Sequence, residues 1–324
     1  INLNGGTGSP GTLNVVLESQ ATAGTDPYGL TGLSFANATT WTPTLANGVL
    51  PIFTDTLSSA GFGSVSIKGA YELSMAMGAV LSVRAGGSIT LDGVATIDGT
   101  LSAPAGSISL TGFMYNYPQL TNPARPPVAA VVIGSHGVLD VHGLWGDDTG
   151  LSGDEVQGAG FVNGGSVSIN TLAASYQGAD VTQTIVLAQG SIIDVSGGGY
   201  VGTTGRLKTG SDGLPVGKGG SLSLITYNMD TSGRSGSEGG TYYNASPTGP
   251  NHFDQANIVW GGTIYAEGLD GGGTLNLQVP TVTIDGAATQ VTSYVSSRTA
   301  AGLAGTGADQ VAGYAVSDSR SGEL

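Results

Sequence analysis

Gly63-Ser64-Val65-Ser66-Ile67 consists of a glycine, a hydroxyl residue and then an apolar, a polar and an apolar residue. The same pattern, called the Gly-Ser motif below, recurs at residues 87–91, 106–110, 165–169, 220–224 and 273–277. Apolar residues at every second position predict a short strand with one buried face. Because each copy begins in the same way, the chain is expected to wind as stacked coils rather than to close into a globule.

The composition restricts the fold class. The 324 residues include 57 glycines, and only 10% of the residues are charged and 6% aromatic. So low a charge is not typical of a disordered chain, and no long stretch carries the apolar stripe of an amphipathic helix. We therefore predict an all-β fold whose corners are formed by Gly and Asp-Gly.

The charge and the absence of cysteine limit the partners. Nine Lys and Arg against 23 Asp and Glu give a formal net charge of −14, which disfavours binding to nucleic acids and to anionic membranes. The same charge is compatible with an extracellular surface that attracts divalent cations. No apolar run is long enough to cross a bilayer, so no membrane insertion is expected. Because Ile1 begins no signal peptide, we take the chain as a piece of a longer polypeptide or a processed form.

We divide the chain into three regions. Residues 1–62 are an irregular start, or first coils with extensions, because several prolines interrupt them. Residues 63–295 form a stack of coils, and residues 296–324 are a weaker terminal coil or a linker. Insertions are predicted near residues 111–137, 144–164, 198–219 and 226–262.

A second repeat supports this division. Residues 138–143 resemble residues 192–197 and, more loosely, residues 263–268, and each of the three precedes a Gly-Ser motif. Insertions at one point of a repeat are expected to leave the stack on the same side, which then carries the variable chemistry.

Aspartates invite a catalytic interpretation. Four of them directly precede a glycine, which a turn explains without chemistry: Asp92, Asp98, Asp270 and Asp285. Asp140 and Asp194 occupy equivalent repeat positions, so we expect them to stack, either facing outward and hydrated or, if buried, with a shifted pKa. No catalytic residue is predicted. A carbohydrate-active enzyme stays as an alternative that requires two or three of Asp140, Asp194 and Glu267 to converge in a sugar-sized cleft.

Metal-binding motifs are weak in this sequence. Four carboxylates in one insertion are calcium candidates, namely Asp147, Asp148, Asp154 and Glu155. They lack EF-hand or nonapeptide spacing, so a solvated acidic loop is favoured and no cofactor is predicted. The three histidines, His136, His142 and His252, are too dispersed for a zinc motif, and we expect surface or turn roles for them.

Aromatic residues in or near the insertions offer a possible contact surface for a sugar or a protein, formed by Trp145, Tyr242, Tyr243 and Trp260. The alternative is that they pack the insertions onto the stack. Asn37 and Asn244 begin N-glycosylation sequences, but chance matches are expected in a chain so rich in Asn, Ser and Thr.

The order of the motifs over roughly residues 60–286 resembles the filamentous haemagglutinin-type large exoproteins of Gram-negative bacteria. The segments that carry the resemblance are residues 60–67, 138–145, 192–198, 219–224 and 267–275. The resemblance implies a right-handed parallel β-helix (solenoid) with loop or hairpin insertions. It also implies secretion to the cell surface through an outer-membrane two-partner secretion transporter.

The function expected from these observations is that of a shaft segment in a secreted or cell-surface adhesin, acting in adhesion, biofilm or cell contact. The insertions would meet a glycan or protein on a host or bacterial surface. A carbohydrate-active β-helix enzyme and a self-assembling fibre subunit remain the alternatives.

Overall fold

The computed structural model describes residues 11–17, 32–36, 49–112, 131–171, 185–226 and 258–278. In these ranges the chain is all β apart from a short helix α1 (Thr54–Ser59) and a 3-10 helix (Gly153–Glu155). The strands are β1 (Thr12–Leu17), β2 (Gly32–Ala36), β3 (Val49–Phe53), β4 (Ser64–Met75), β5 (Val80–Ser82), β6 (Ser88–Ile97), β7 (Thr100–Ser102), β8 (Ser107–Gly112), β9 (Val131–Ile133), β10 (Val138–Asp140), β11 (Trp145–Asp147), β12 (Ser166–Asn170), β13 (Ile185–Leu187), β14 (Ile192–Asp194), β15 (Gly199–Val201), β16 (Ser221–Ile225), β17 (Ile258–Trp260), β18 (Thr263–Tyr265) and β19 (Thr274–Gln278).

The strands form three sheets of twelve, five and two strands in the described part of the chain. All pairings between these strands are parallel. The predicted all-β fold is therefore confirmed, and its sheets are parallel.

The Gly-Ser motifs lie in register along the twelve-stranded sheet. Ile108 of β8 is paired with Ile89 of β6 on one side and with Val167 of β12 on the other. The pairing extends to Leu13 of β1, so part of the region predicted as an irregular start belongs to the same sheet. Apolar positions of β8 are buried and alternate with half-buried polar ones, as the period of two predicts.

Two further sets of strands follow the Gly-Ser set along the chain. The second half of β6 pairs with β9, which pairs with β13 and then β17. The strands β5, β7, β10, β14 and β18 make up the five-stranded sheet. From β6 onward the chain visits these three sets in the same order on every turn.

One apolar cluster lies inside the three sets. Leu91, Ile97 and Leu101, which come from the three sets within a single turn of the chain, are fully buried in it. Complete burial of such an aliphatic side chain contributes roughly 1.5–3 kcal/mol. Repeating these three positions on each turn gives a continuous core of small aliphatic side chains.

The glycine that begins each Gly-Ser motif is required by the close approach of neighbouring strands. The carbonyl of Gly106 accepts a hydrogen bond from the Ser166 N–H at 2.9 Å. A Cβ atom on Gly165 would lie well inside 3.0 Å of the same oxygen, a separation that real Cβ atoms essentially never show. Gly87 and Gly220 are equally close to the preceding glycine carbonyl, so a side chain fits at none of these positions.

Several of the predicted regions contain strands. Residues 1–62, predicted as an irregular start or as first coils with extensions, contain β1, β2, β3 and α1. The predicted insertion 111–137 contains the end of β8 and all of β9, and the predicted insertion 226–262 contains β17. These short apolar triplets lack visible alternation, so the sequence pattern did not separate them from the insertions. Residues 296–324 lie outside the described ranges.

Candidate functional site

The register of β10 and β14 places Asp140 directly opposite Asp194. Their inward neighbours Leu139 and Ile193 are buried in the core, so the two carboxylates project from the other face of the sheet. The stacking predicted from the repeat is therefore confirmed. The predicted hydration is wrong for Asp194, which is only 5% exposed. Ser196, itself buried, donates its N–H and its hydroxyl to Asp194 Oδ1 at 3.0 and 2.7 Å.

His142 completes a compact group with these two carboxylates. Its Nδ1 lies 2.5 Å from Asp140 Oδ1, and its backbone N–H donates to the same oxygen at 3.1 Å. One donor atom each from Asp140, His142 and Asp194 lies within 4.8 Å of the other two. Among the described residues this is the one such group of at least three His, Cys, Asp or Glu side chains. We call it the Asp-His-Asp cluster.

Sequence reasoning missed the role of His142. It treated the histidines as dispersed along the chain, although two of them contact an aspartate. His136 Nδ1 lies 3.4 Å from Asp98 Oδ2, and the His136 N–H donates to Asp98 Oδ1 at 3.0 Å. The signal for the cluster was the pair Asp140-Val141-His142 and Asp194-Val195-Ser196, aligned by the second repeat. A nitrogen donor beside two carboxylate oxygens is a set that can hold a divalent metal ion.

The two insertions that follow this cluster pair with each other. β11 of the first insertion and β15 of the second are parallel, with Trp145 opposite Gly199. The insertions leave the stack at equivalent points, after Gly143 and Gly197, because the preceding strands are in register. The expectation that they share one side of the stack agrees with this pairing. We call the paired insertions the side platform (residues 143–164 and 198–219).

Asp148 links the two insertions of the side platform through hydrogen bonds. It is 2% exposed, and its Oδ2 accepts hydrogen bonds from the Tyr200 hydroxyl at 2.6 Å and the Gly158 N–H at 2.8 Å. Oδ1 accepts from the Gln157 N–H at 3.2 Å. The Tyr200 hydrogen bond, followed by the backbone donors, lowers the pKa of Asp148, and the same bond raises the pKa of Tyr200. Asp148 is therefore a structural anchor.

The calcium candidates do not converge. Asp147 accepts hydrogen bonds from the N–H and hydroxyl of Thr149, whereas Asp154 and Glu155 lie exposed in the 3-10 helix. With Asp148 buried beneath Tyr200, these four carboxylates do not form a group of three metal donors. The solvated acidic loop that the sequence favoured is wrong for Asp148, which is buried, and the expected absence of calcium stays a prediction.

A second contact holds the platform to the end of the described stack. Lys218 Nζ lies 3.6 Å from Asp270 Oδ2. The Leu214 N–H donates to Asp212 Oδ1 at 3.1 Å. This bond is the main cause that lowers the pKa of Asp212, with further contributions from Asp270 and Lys218. Asp270, predicted as a turn residue before a glycine, thus also takes part in an ion pair.

The predicted aromatic contact residues have different surroundings. Trp145 is 46% exposed, and its ring lies over Gly199 beside Leu269, where a Cβ atom would collide with the ring. Trp260 is in register with the buried Leu187, so it occupies a position that is equivalent to a core position. It is exposed, and it lies on the last described strand of its set. Tyr242 and Tyr243 lie outside the described residues.

Phe161 is an exposed aromatic residue that sequence reasoning missed. It is 53% exposed, it has a φ of 62°, and its ring contacts the surface at Gly86. A positive φ is costly for an aromatic residue, and residues in such strained conformations are found at contact and functional sites more often than elsewhere.

The chain matches no protein-family model, no curated protein and no solved structure. The family resemblance drawn from the motifs therefore stays a prediction. Among the described residues, no helix has both the length and the apolar character needed to span a membrane.

Proposed function

We propose that this chain is a right-handed parallel β-helix that forms a shaft segment of a secreted or cell-surface filamentous exoprotein. The observation that carries the proposal is the in-register parallel pairing of equivalent residues on three sets of strands, turn after turn. Such a repeat buries a core only by stacking on its neighbours, and the result is a quasi-one-dimensional body.

The last described strands support the idea of an extended shaft. Leu275 and Leu277 are in register with Leu222 and Leu224, which are fully buried, yet both are exposed on β19. The inward positions of this set therefore stay apolar from β16 to β19, as the stacking of equivalent strands requires. At about 4.8 Å per strand, the seven strands of the Gly-Ser set from β1 to β19 span about 29 Å.

The side platform is the proposed contact surface. The Trp145 ring of the platform packs against the backbone at Gly199, and part of the indole ring is open to solvent. Flat exposed aromatic rings stack on sugars and also anchor protein partners. By the family resemblance, the shaft would leave a Gram-negative cell through a two-partner transporter and display this platform in adhesion, biofilm or cell contact.

Binding of the labelled chain to a glycan array and to whole bacterial and host cells tests this proposal. We expect saturable binding that Trp145→Ala weakens at least tenfold, as for a central aromatic contact residue. Met77→Ala is the matched control, because it removes another exposed apolar side chain that lies outside the side platform. Absence of binding by the wild-type chain, or equal loss in both variants, would contradict the proposed role of Trp145.

The alternative of a carbohydrate-active enzyme draws on the proximity of Asp140 and Asp194. Against it, Asp194 is buried and its Oδ1 is engaged by Ser196, so a substrate has little access to that carboxylate. Release of reducing ends from a panel of polysaccharides, abolished by Asp140→Asn, would favour the enzyme. Light scattering addresses the fibre-subunit alternative, since a monomer at high concentration argues against self-assembly.

A further inference from the structure

The Asp-His-Asp cluster combines features that a cation would satisfy. Strand pairing holds the carboxylates of Asp140 and Asp194 on adjacent strands, where like charges repel. Asp194 is almost completely buried, so its carboxylate cannot turn away into solvent. The chain as a whole carries a net charge of −14, which adds to the negative potential around the pair.

The donor types point to a particular class of cation. Calcium and magnesium prefer sites made of oxygen donors, whereas an imidazole nitrogen with carboxylate oxygens suits zinc and other first-row divalent ions. We propose that Asp140, His142 and Asp194 bind one divalent transition-metal ion, of which Zn²⁺ is the representative, across β10 and β14. The ring of His142 and the carboxylate of Asp140 are half-buried, which leaves a route for the ion from solvent.

Binding requires a small rearrangement. Two ligands of a tetrahedral metal at 2.0–2.1 Å lie about 3.4 Å apart, whereas His142 Nδ1 and Asp140 Oδ1 are separated by 2.5 Å. The ion would replace the Asp140–His142 hydrogen bond, so the two groups separate by about 1 Å and the neutral imidazole takes the tautomer with its proton on Nε2, which leaves Nδ1 free to bind the metal. Ser196 donates to Asp194 Oδ1 and fixes the carboxylate from one side, so the donors of Asp140 and His142, which lie within 4.8 Å of it, make most of the adjustment.

The position of the site gives it a structural consequence. His142 directly precedes Gly143, after which the first platform insertion begins, and Asp194 lies shortly before Gly197, after which the second begins. An ion that links β10 to β14 would therefore join the bases of both insertions. This inference does not depend on the proposed function, since it concerns only the three side chains and their strands.

Isothermal titration of the full chain with ZnCl₂ after EDTA treatment tests the site, together with thermal unfolding with and without the ion. We expect one ion per chain and a higher melting temperature that EDTA reverses. His142→Gln and Asp140→Asn should each weaken binding at least tenfold. Both residues are half-buried, and circular dichroism checks that the variants fold.

The other two histidines provide the control. His136 also contacts an aspartate, but it is more exposed and belongs to no group of three donors. The double variant His136→Ala/His252→Ala should bind Zn²⁺ as the wild type does, and Co²⁺ should give it the same visible absorption spectrum. Failure of the wild-type chain to bind, binding that survives His142→Gln, or binding lost in the double variant would each overturn the proposal.

Discussion

Replacement of Gly165 by alanine tests the central feature of the fold, the stacking of one Gly-Ser motif on the next. The new Cβ atom would collide with the Gly106 carbonyl oxygen, which must stay at least 3.0 Å away. Relief of the collision requires a local separation of the strands by about 1 Å. One backbone hydrogen bond crosses this point, from Ser166 N–H to the Gly106 carbonyl at 2.9 Å.

The magnitude follows from these contacts. An additional 1 Å takes this hydrogen bond beyond bonding distance and leaves the Ser166 N–H and the Gly106 carbonyl unsatisfied, at about 1–2 kcal/mol each when the groups are buried. Steric overpacking destabilises the folded state by a further amount of about 1–3 kcal/mol. The lower conformational freedom of alanine in the unfolded chain offsets about 0.4–1 kcal/mol of this loss. We therefore expect Gly165→Ala to lower the free energy of unfolding by about 3–5 kcal/mol. At about 2–4 °C per kcal/mol, the melting temperature should fall by about 10 °C.

Gly160→Ala is the matched control. It lies in the same insertion as Phe161, its φ is not in the left-handed region, and nothing lies within 4 Å of the added Cβ atom. This variant should be neutral or stabilised by about 0.4–1 kcal/mol. Urea unfolding followed by circular dichroism measures both variants. A Gly165→Ala chain within about 1 kcal/mol of the wild type, or equal destabilisation by Gly160→Ala, would refute the reasoning.

Three further outcomes are expected. Leu139→Ala, at a fully buried position of β10, should lower the free energy of unfolding by about 2–5 kcal/mol in the same urea assay, and a loss under about 1 kcal/mol would contradict its place in the core. Tyr200→Phe removes a donor to the buried Asp148, so amide hydrogen exchange should quicken in β11 and β15 while the core strands stay protected; uniform protection would contradict the anchor. The pKa of Asp212 is lowered below its ordinary 3.8 in the folded state, so its stabilising contribution is present above pH 3.8 and is lost as the pH falls through the folded pKa. Asp212→Asn should therefore make the free energy of unfolding fall less steeply as the pH becomes acidic. An unchanged pH dependence would contradict a stabilising role for the Asp212 carboxylate.

The sequence predicted two of the three sets of strands because those sets begin after recognisable turns. The Gly-Ser motif marks the first set, and the likeness between residues 138–143 and 192–197 marks the set in the five-stranded sheet. The set that contains β9, β13 and β17 was missed. Each of these strands is an apolar triplet that follows a long insertion, and three residues are too few to show a period of two. The sequence feature that could have marked this set is the glycine that follows each triplet within four residues, since it indicates a turn.

The candidate site was predictable only in part for a related reason. Equivalent repeat positions sufficed to place Asp140 opposite Asp194, because pairing in register follows from the repeat. The burial of Asp194 depends on Ser196, whose hydroxyl turns back onto the carboxylate, and the repeat contains no such information. Likewise, Tyr200 reaches Asp148 across 52 residues, because two insertions of unrelated sequence pair side by side.

In this fold a site is therefore a column of residues rather than a linear motif. Ser102, Asp140 and Asp194 occupy one column of the five-stranded sheet, and Ser102 donates to Asp140 Oδ2 at 3.5 Å. A change in insertion length leaves such a column intact, since the strands on either side keep their register. One residue added inside β10 would instead exchange the inward and outward faces, moving Asp140 toward the core and Leu139 toward solvent. The insertions are thus the part of the chain that can change in length without disturbing the columns.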